Sequence, residues 1–298
     1  MLVTASPLLG LLLDVDGPIA SPVTRSIAID SIATDLVELA RLGVPIVFNT
    51  GRSDAFITEQ VVPPLLAAGL PEGARVHAVC EKGAVWFSIT HEGAGEIQVD
   101  EDLALPQAYG DEIELLVAER FDDLVFFDHT KRAMVSVEQR MEVDSETYLA
   151  QQPVFDELAM QALARHGFGA VREGDERPDV DGDVQVRVDP TIISTDIESV
   201  RLGKDLGAER ALQLLEQDGA APQHWRTVGD SRTDYAMATW LHERGHSVTH
   251  VDVRPKDGVP ETPYPVLTAG DLIHDEAGAD FLGRWVAAVR RGSLNAED

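Results

Sequence analysis

Three apolar runs, each ending in a polar loop, constrain this chain more than any other feature. Residues 8–13 (LLGLLL) lead into Asp14-Val15-Asp16-Gly17, residues 44–48 (VPIVF) into Asn49-Thr50-Gly51-Arg52, and the short Thr227-Val228 into Gly229-Asp230-Ser231. Short, uninterrupted apolar runs predict central strands buried on both faces, as in a parallel sheet. Residues 31–42 (SIATDLVELARL) have helical periodicity and stop at Gly43, a C-cap signal. A helical stretch from about Asp54 to Ala68 precedes the strand-like RVHAVC. This strand–helix–strand alternation predicts an α/β fold with a doubly wound parallel sheet. In such a sheet ligands bind at the carboxyl ends of the strands, so loops far apart in sequence gather at one edge.

The middle of the chain reads differently. From about Trp86 to Val188, strand-like runs (AVWFSIT, RAMVSVE, DVQVRVD) alternate with amphipathic helices (DEIELLVAERF, VFDELAMQALARHG). That pattern predicts an inserted α+β domain with an antiparallel sheet. The α/β pattern then resumes with a helix from about Asp205 to Gln217, a strand (SVTHVDV) and a closing helix (ADFLGRWVAAVRR). GSLNAED is expected to be a frayed tail. The expected organisation is a core over residues 1–86, the inserted domain over 87–198, and the rest of the core over 199–298.

Charge excludes several functions. Lys and Arg total 24 against 52 Asp and Glu, a formal net charge of −28. That field repels nucleic acid and anionic membrane, and no basic run offsets it. Lysine occurs only at Lys82, Lys131, Lys204 and Lys256; an acidic, lysine-poor surface suits a high-salt or GC-rich source, and it also promotes solubility. With Cys80 the sole cysteine, an internal disulfide is impossible, and a buried inert thiol is expected. LLGLLL lacks a basic flank, is too short to span a bilayer, and runs straight into Asp14 and Asp16, so a cytoplasmic protein is expected.

The tetrapeptide DVDG occurs twice, at residues 14–17 and 179–182. Two carboxylates one residue apart before a glycine suit a phosphoryl-transfer site, a metal loop or a polar turn. The second copy follows EGDERP, which presents no buried strand, and its glycine precedes Asp183, the wrong order for an EF-hand. An acidic hairpin turn is expected there. His242, His246 and His250 have metal-like spacing, but Gly245 separates a helix from a strand, so they share no face and no zinc site is expected. Lys131, Arg132 and Arg187 are expected to be solvated or ion-paired.

Taken together, the motifs resemble the haloacid dehalogenase superfamily of phosphatases, in the Cof-type branch with an α+β cap inserted between the second and third motifs. Asp14-Val15-Asp16-Gly17 resembles the first motif, Thr50-Gly51-Arg52 the second, and Gly229-Asp230-Ser231-Arg232-Thr233-Asp234 the fourth. CEKGAVW resembles the ENGA segment that precedes the cap. The resemblance implies Asp14 as nucleophile, Asp16 as the acid and base, and Thr50 and Gly51 as donors to the phosphoryl group. Arg52 would bind substrate or pair with a core carboxylate. Lys204 is the candidate third-motif lysine. Family members often read lysine–glycine there, and alignment on Gly207 would put Leu206 in that position instead. Pro18 stands where threonine is common, which removes a hydroxyl and a backbone donor from the loop after Gly17.

A phosphate dianion beside Asp14 and Asp230 is repelled by about 4 kcal/mol per close pair at an effective dielectric near 20. A cation is therefore required, and Mg²⁺ suits all-oxygen ligands. The resemblance implies that Asp14, Asp16 through its carbonyl, and Asp230 hold it, with Asp234 as an outer or additional ligand. The expected function is Mg²⁺-dependent hydrolysis of small phosphorylated metabolites, sugar phosphates or related compounds. A phosphosugar mutase and a non-catalytic binding protein on the same fold are the alternatives.

Overall fold

A computed structural model describes residues 6–222 and 224–294. It divides the chain into two compact units, one built from the chain up to Gln98 and again from Gly203 onward, the other from Val99–Leu202. Residues 295–298, the end of the expected tail, lie outside the described residues.

The first unit begins with β1 (Gly10–Leu13), α1 (Asp30–Arg41) and β2 (Ile46–Asn49). A continuous helical stretch follows: α2 (Asp54–Phe56), a π-helical turn (Ile57–Val61) and α3 (Val62–Ala67). Then come β3 (Val76–Cys80), β4 (Val85–Thr90), β5 (Gly93–Ala94) and β6 (Gln98–Val99). The run AVWFSIT, expected in the inserted domain, belongs to this sheet. β4 pairs antiparallel with β3, Val85 opposite Cys80 and Ile89 opposite Val76. Its residues alternate between buried and partly exposed, so half of them pack on the core sheet rather than serving a second one.

The second unit holds α4 (Gln107–Arg120), β7 (Val125–Phe127), β8 (Val135–Gln139) and α5 (Ser145–Arg165). It continues with β9 (Ala170–Arg172), β10 (Asp175–Arg177), β11 (Val186–Pro190) and β12 (Ser194–Ser199). Its sheet runs β10-β9-β11-β12-β8-β7, antiparallel except for β9 and β11. Tyr109, Ile113, Phe155, Ala159 and Leu163 on the two helices bury against Val135, Val137, Val186 and Val188 on the strands. Arg187 is ion-paired with Glu198, and its guanidinium also donates to the Leu202 carbonyl. The second DVDG is a turn between β10 and β11. Asp179 Oδ1 accepts from the amides of Asp181 and Asp183, each at 2.9 Å.

The first unit resumes with α6 (Lys204–Asp218), β13 (His224–Gly229), α7 (Tyr235–Glu243), β14 (Ser247–Asp252), β15 (Val266–Leu267) and α8 (His274–Arg291). The sheet order is β15-β14-β13-β1-β2-β3-β4-β5, with β6 on β4. From β15 to β3 every pairing is parallel. All four residues of β1 are buried. Leu12, Val47 and Val79 pack against Ala208, Ala211 and Leu215 of α6 and Met237, Ala238 and Leu241 of α7. Side chains alternate along a strand, so Leu11 and Leu13 face the other side, where α1 packs against α8. The three histidines disperse: His242 packs at a tilt against Tyr264, His246 meets Trp225 edge to face, and His250 bonds to Thr227. Cys80 is buried and in no disulfide. Among the described residues, no helix is long and apolar enough to cross a membrane.

Candidate active site

Chain direction makes β1 the switch point of the sheet. β2 and β3 lie on one side of it and β13, β14 and β15 on the other. The crevice beyond the carboxyl end of such a strand is where open α/β sheets bind ligands. Asp14 is the first residue past β1, 6% exposed, with its amide donating to the Val228 carbonyl at 2.9 Å. Lys204 is the first residue of α6 and reaches the same point. Its Nζ donates to Asp14 Oδ1 at 2.6 Å and to the Asn49 carbonyl at 2.7 Å, and lies 2.7 Å from Asp234 Oδ1. A single buried ammonium thus ties the ends of β1, β2 and β13 together.

Of the two candidate positions, Lys204 reaches Asp14, whereas Leu206 packs against Gly83. Asn49 fixes the helix: its Nδ2 donates to the Lys204 carbonyl at 2.9 Å. A Cβ on Gly207 would collide with the Asn49 side chain, so α6 can approach this closely only because that position is glycine.

Burial opposes every charge in this cluster, and the outcomes differ. Burial pushes Asp14 well above the usual carboxylate range, with Lys204 opposing the rise and Asp234 and Asp16 adding to it. Burial would also raise Asp234, but the Lys204 ammonium and the bonds from Ser231 outweigh it and hold that carboxyl low. For Lys204 burial acts to lower the pKa, and the two carboxylates overcome it and raise it. Lys204 therefore pairs with both Asp14 and Asp234, and of these two carboxyls it is Asp14 that burial raises.

Asp234 also shapes its own loop. Its Oδ2 accepts from the amides of Asp230 (3.1 Å) and Ser231 (2.9 Å) and from Ser231 Oγ (2.7 Å). Asp230 is raised by burial and by Asp234, against Arg254 and His274. Arg254 Nε and His274 Nδ1 each stand 3.8 Å from Asp230 Oδ2, and Arg254 Nε donates to the Asp230 carbonyl.

Beside this cluster, Arg52 grips Asp16 through two parallel bonds, Nε to Oδ2 at 2.9 Å and NH2 to Oδ1 at 2.8 Å. Its guanidinium also lies 4.8 Å from the centre of the Phe56 ring. Thr50 is fully buried, and its hydroxyl accepts from the Arg52 amide at 3.1 Å. In the loop after Asp16, the Gly17 amide donates to the Ala20 carbonyl. Pro18 turns its carbonyl onto α8 so closely that Gly278 has no room for a Cβ.

Carboxylate oxygens of Asp14, Asp230 and Asp234 lie within 4.8 Å of one another. An all-oxygen acidic set fits a hard divalent cation. The upward push on Asp14 and Asp230 is the electrostatic counterpart of that fit, since a cation would relieve both. Asp234, engaged by Lys204 and Ser231, suits an outer position.

Sequence reading missed Asn49, Arg254 and His274. Asn49 had a signal, a polar side chain closing a buried strand, which must find partners. Arg254 and His274 had none, because their distance from Asp230 is set by how β14 and α8 return to the edge of the sheet.

The structure is similar to that of Aspergillus fumigatus trehalose-6-phosphate phosphatase, at 16% identity over 96% of this chain and 94% of that one, with a TM-score of 0.54. It is similar to the C-terminal domain of C. albicans trehalose-6-phosphate phosphatase, at 15% identity over 95% and 93%, with a TM-score of 0.65. A trehalose-6-phosphate phosphatase related protein matches at 11% identity over 95% and 100%, with a TM-score of 0.58. No family model matches the sequence, and no curated protein matches it. The architecture is that of an α/β core interrupted by an α+β unit, with its acidic loops at the switch point. It is a fold shared with those three structures.

Proposed function

We propose that this protein is a phosphomonoesterase acting on small phosphorylated metabolites, sugar phosphates or related polyol phosphates. The observation that carries the reading is Lys204, 2.6 Å from Asp14 and 2.7 Å from Asp234, beside a third carboxylate at Asp230. A fold shared with proteins named as trehalose-6-phosphate phosphatases supports the substrate class.

Asp14 attacks phosphorus, forming an aspartyl-phosphate as the bond to the leaving oxygen breaks. Asp16 gives its proton to that oxygen, then takes one from the water that attacks phosphorus, and the Asp14–phosphorus bond breaks to release inorganic phosphate. Lys204 orients Asp14 throughout, and Arg52, which occupies both Asp16 oxygens in this structure, must release one of them for Asp16 to carry that proton. The Thr50 hydroxyl and the Gly51 amide donate to phosphoryl oxygens, where charge grows in the transition state. Mg²⁺, held by Asp14, Asp230 and the Asp16 carbonyl with Asp234 outside, supplies when bound the positive charge that keeps Asp14 ionised and offsets the phosphate.

Phosphate release from a panel of phosphomonoesters, with and without Mg²⁺, tests this. Metal-dependent release from wild type, reduced at least ~10³-fold by Asp14→Asn, is expected. An Asp14→Asn protein as active as wild type would sink the assignment, and an isomeric phosphate in place of free phosphate would make the protein a mutase.

A further inference from the structure

His274, the first residue of α8, has a φ of +51°. For a residue with a Cβ this left-handed region is crowded. Such conformations persist where the surroundings over-determine them, and they gather at binding sites. Here main-chain bonds hold it. The Val253 amide donates to the Gly229 carbonyl at 3.0 Å, and the His274 amide donates to the Val253 carbonyl at 2.8 Å. The ends of β13 and β14 and the start of α8 are thereby tied together beside Asp230. About one turn further along α8, Gly278 lies against the Pro18 carbonyl, which seats the helix on the loop after Asp16.

The ring delivered by this turn faces a carboxylate that no hydrogen bond holds. Asp14 accepts from Lys204, and Asp234 accepts from Ser231 and two amides. Among the described residues, no hydrogen bond reaches either carboxylate oxygen of Asp230. Two nitrogens stand 3.8 Å from its Oδ2, too far for a hydrogen bond. One is Arg254 Nε, whose single hydrogen already goes to the Asp230 carbonyl at 2.9 Å. The other is His274 Nδ1, which is buried and has no hydrogen-bond partner among the described residues. A Cβ on Gly17 would stand 3.1 Å from Asp230 Oδ2, so the bare glycine leaves that carboxylate room to turn.

The main-chain bond asks nothing of the side chain. Glycine or asparagine would adopt the same φ with less strain and make the same bond. What histidine adds is a ring nitrogen directed at a carboxylate, and Nδ1 donates in the Nδ1–H tautomer and in the imidazolium alike. A carboxylate that binds a cation through one oxygen is oriented when the other accepts from a donor. Loss of such a donor typically costs about 10–100-fold in metal affinity.

We propose that His274 is a positioning residue for the metal centre, its Nδ1–H donating to Asp230 Oδ2 and leaving the other carboxylate oxygen to the cation. The proposal rests on the placement of Mg²⁺ in the phosphomonoesterase reading. Mg²⁺ binding is measured by calorimetry for wild type, His274→Gly and His274→Asn, with Tm in EDTA alongside. His274→Gly is expected to weaken Mg²⁺ about tenfold or more, with Tm in EDTA equal or higher as the strain is relieved. His274→Asn, whose side-chain amide carries its N–H as many bonds from the backbone as Nδ1, should recover most of the loss. Mg²⁺ affinity in His274→Gly equal to wild type overturns the inference, and so does a loss that His274→Asn does not recover. A Tm lowered by more than about 5 °C also overturns it, by making His274 a structural tie. Wild type that binds no Mg²⁺ overturns the metal centre and this inference together. A wild type that binds Mg²⁺ and hydrolyses no phosphomonoester, with the variants behaving as expected, overturns the phosphomonoesterase reading and upholds this inference.

Discussion

Residues 14–17 and 179–182 spell the same tetrapeptide, and their glycines have nearly the same dihedral, φ +94° and +92°. Both copies turn the chain in the same left-handed way, as glycine does at no steric cost. Around that shared turn everything differs. Val15 is buried and Val180 fully exposed. Asp14 is sunk at the end of a buried strand and faces an ammonium 190 residues away in sequence. Asp179 spends its carboxylate on its own loop and on Gln185. Their acidities part accordingly: burial pushes Asp14 up, while the bond from Gln185, followed by the one from the Asp183 amide, holds Asp179 down. The turn is local information. A reactive carboxylate is made by the strand before it and by a partner from elsewhere in the fold.

The largest expected effect compares the copies directly. Asp14→Asn should cut phosphate release at least ~10³-fold, and Asp179→Asn should leave it within about twofold, as surface changes usually do. Equal losses would break the comparison. Next, Lys204→Met leaves Asp14 and Asp234 buried without their cation, and urea unfolding should register a loss of about 3–5 kcal/mol. Adding Asp14→Asn to that variant should restore part of it, because one of the two stranded charges is gone.

A smaller and opposite effect is expected for Asp14→Asn alone. Without Mg²⁺ it removes a buried charge whose burial raises its pKa, so the protein should gain about 1 kcal/mol by calorimetric melting at neutral pH. A loss there would mean that the Lys204 bond outweighs the burial of Asp14.

The smallest effect is the order of protonation in Mg²⁺-free protein. Asp14 is raised in the folded state, so its unfavourable contribution is full above that raised value and fades as pH falls toward 3.8, the unfolded value. Asp179 is lowered, so its stabilising contribution is full above 3.8 and is lost as pH falls through the lowered value. Carboxyl carbon NMR during an acid titration should therefore show Asp14 protonating before Asp179, and the reverse order would contradict the contrast.

Much of this was legible because strand, loop and glycine signals are local. The runs at 8–13 and 44–48 mark β1 and β2 through unbroken apolarity, and the position of Asp14 at a strand end follows from them. β4 was harder to assign, since its alternating pattern fits an edge strand of either sheet and only the partner decides. Lys204 was legible as a candidate, while the choice against Leu206 depended on how α6 docks. Asn49, Arg254 and His274 owe their neighbours to chain return and close packing, which no window of sequence records.

Lys204 and Gly207 are three residues apart, about one turn of α6, and therefore share a face. The first aims its ammonium at Asp14 and the second lets the helix lie on Asn49. Lysine, two residues, glycine is thus a single geometric unit, a ruler whose two marks touch adjacent strand ends. A search pattern written with that interval would find chains that a lysine–glycine dipeptide passes over. Lengthening or shortening the interval by one residue would rotate one mark away by about 100°, so the helix could keep its seat or its charge, but not both.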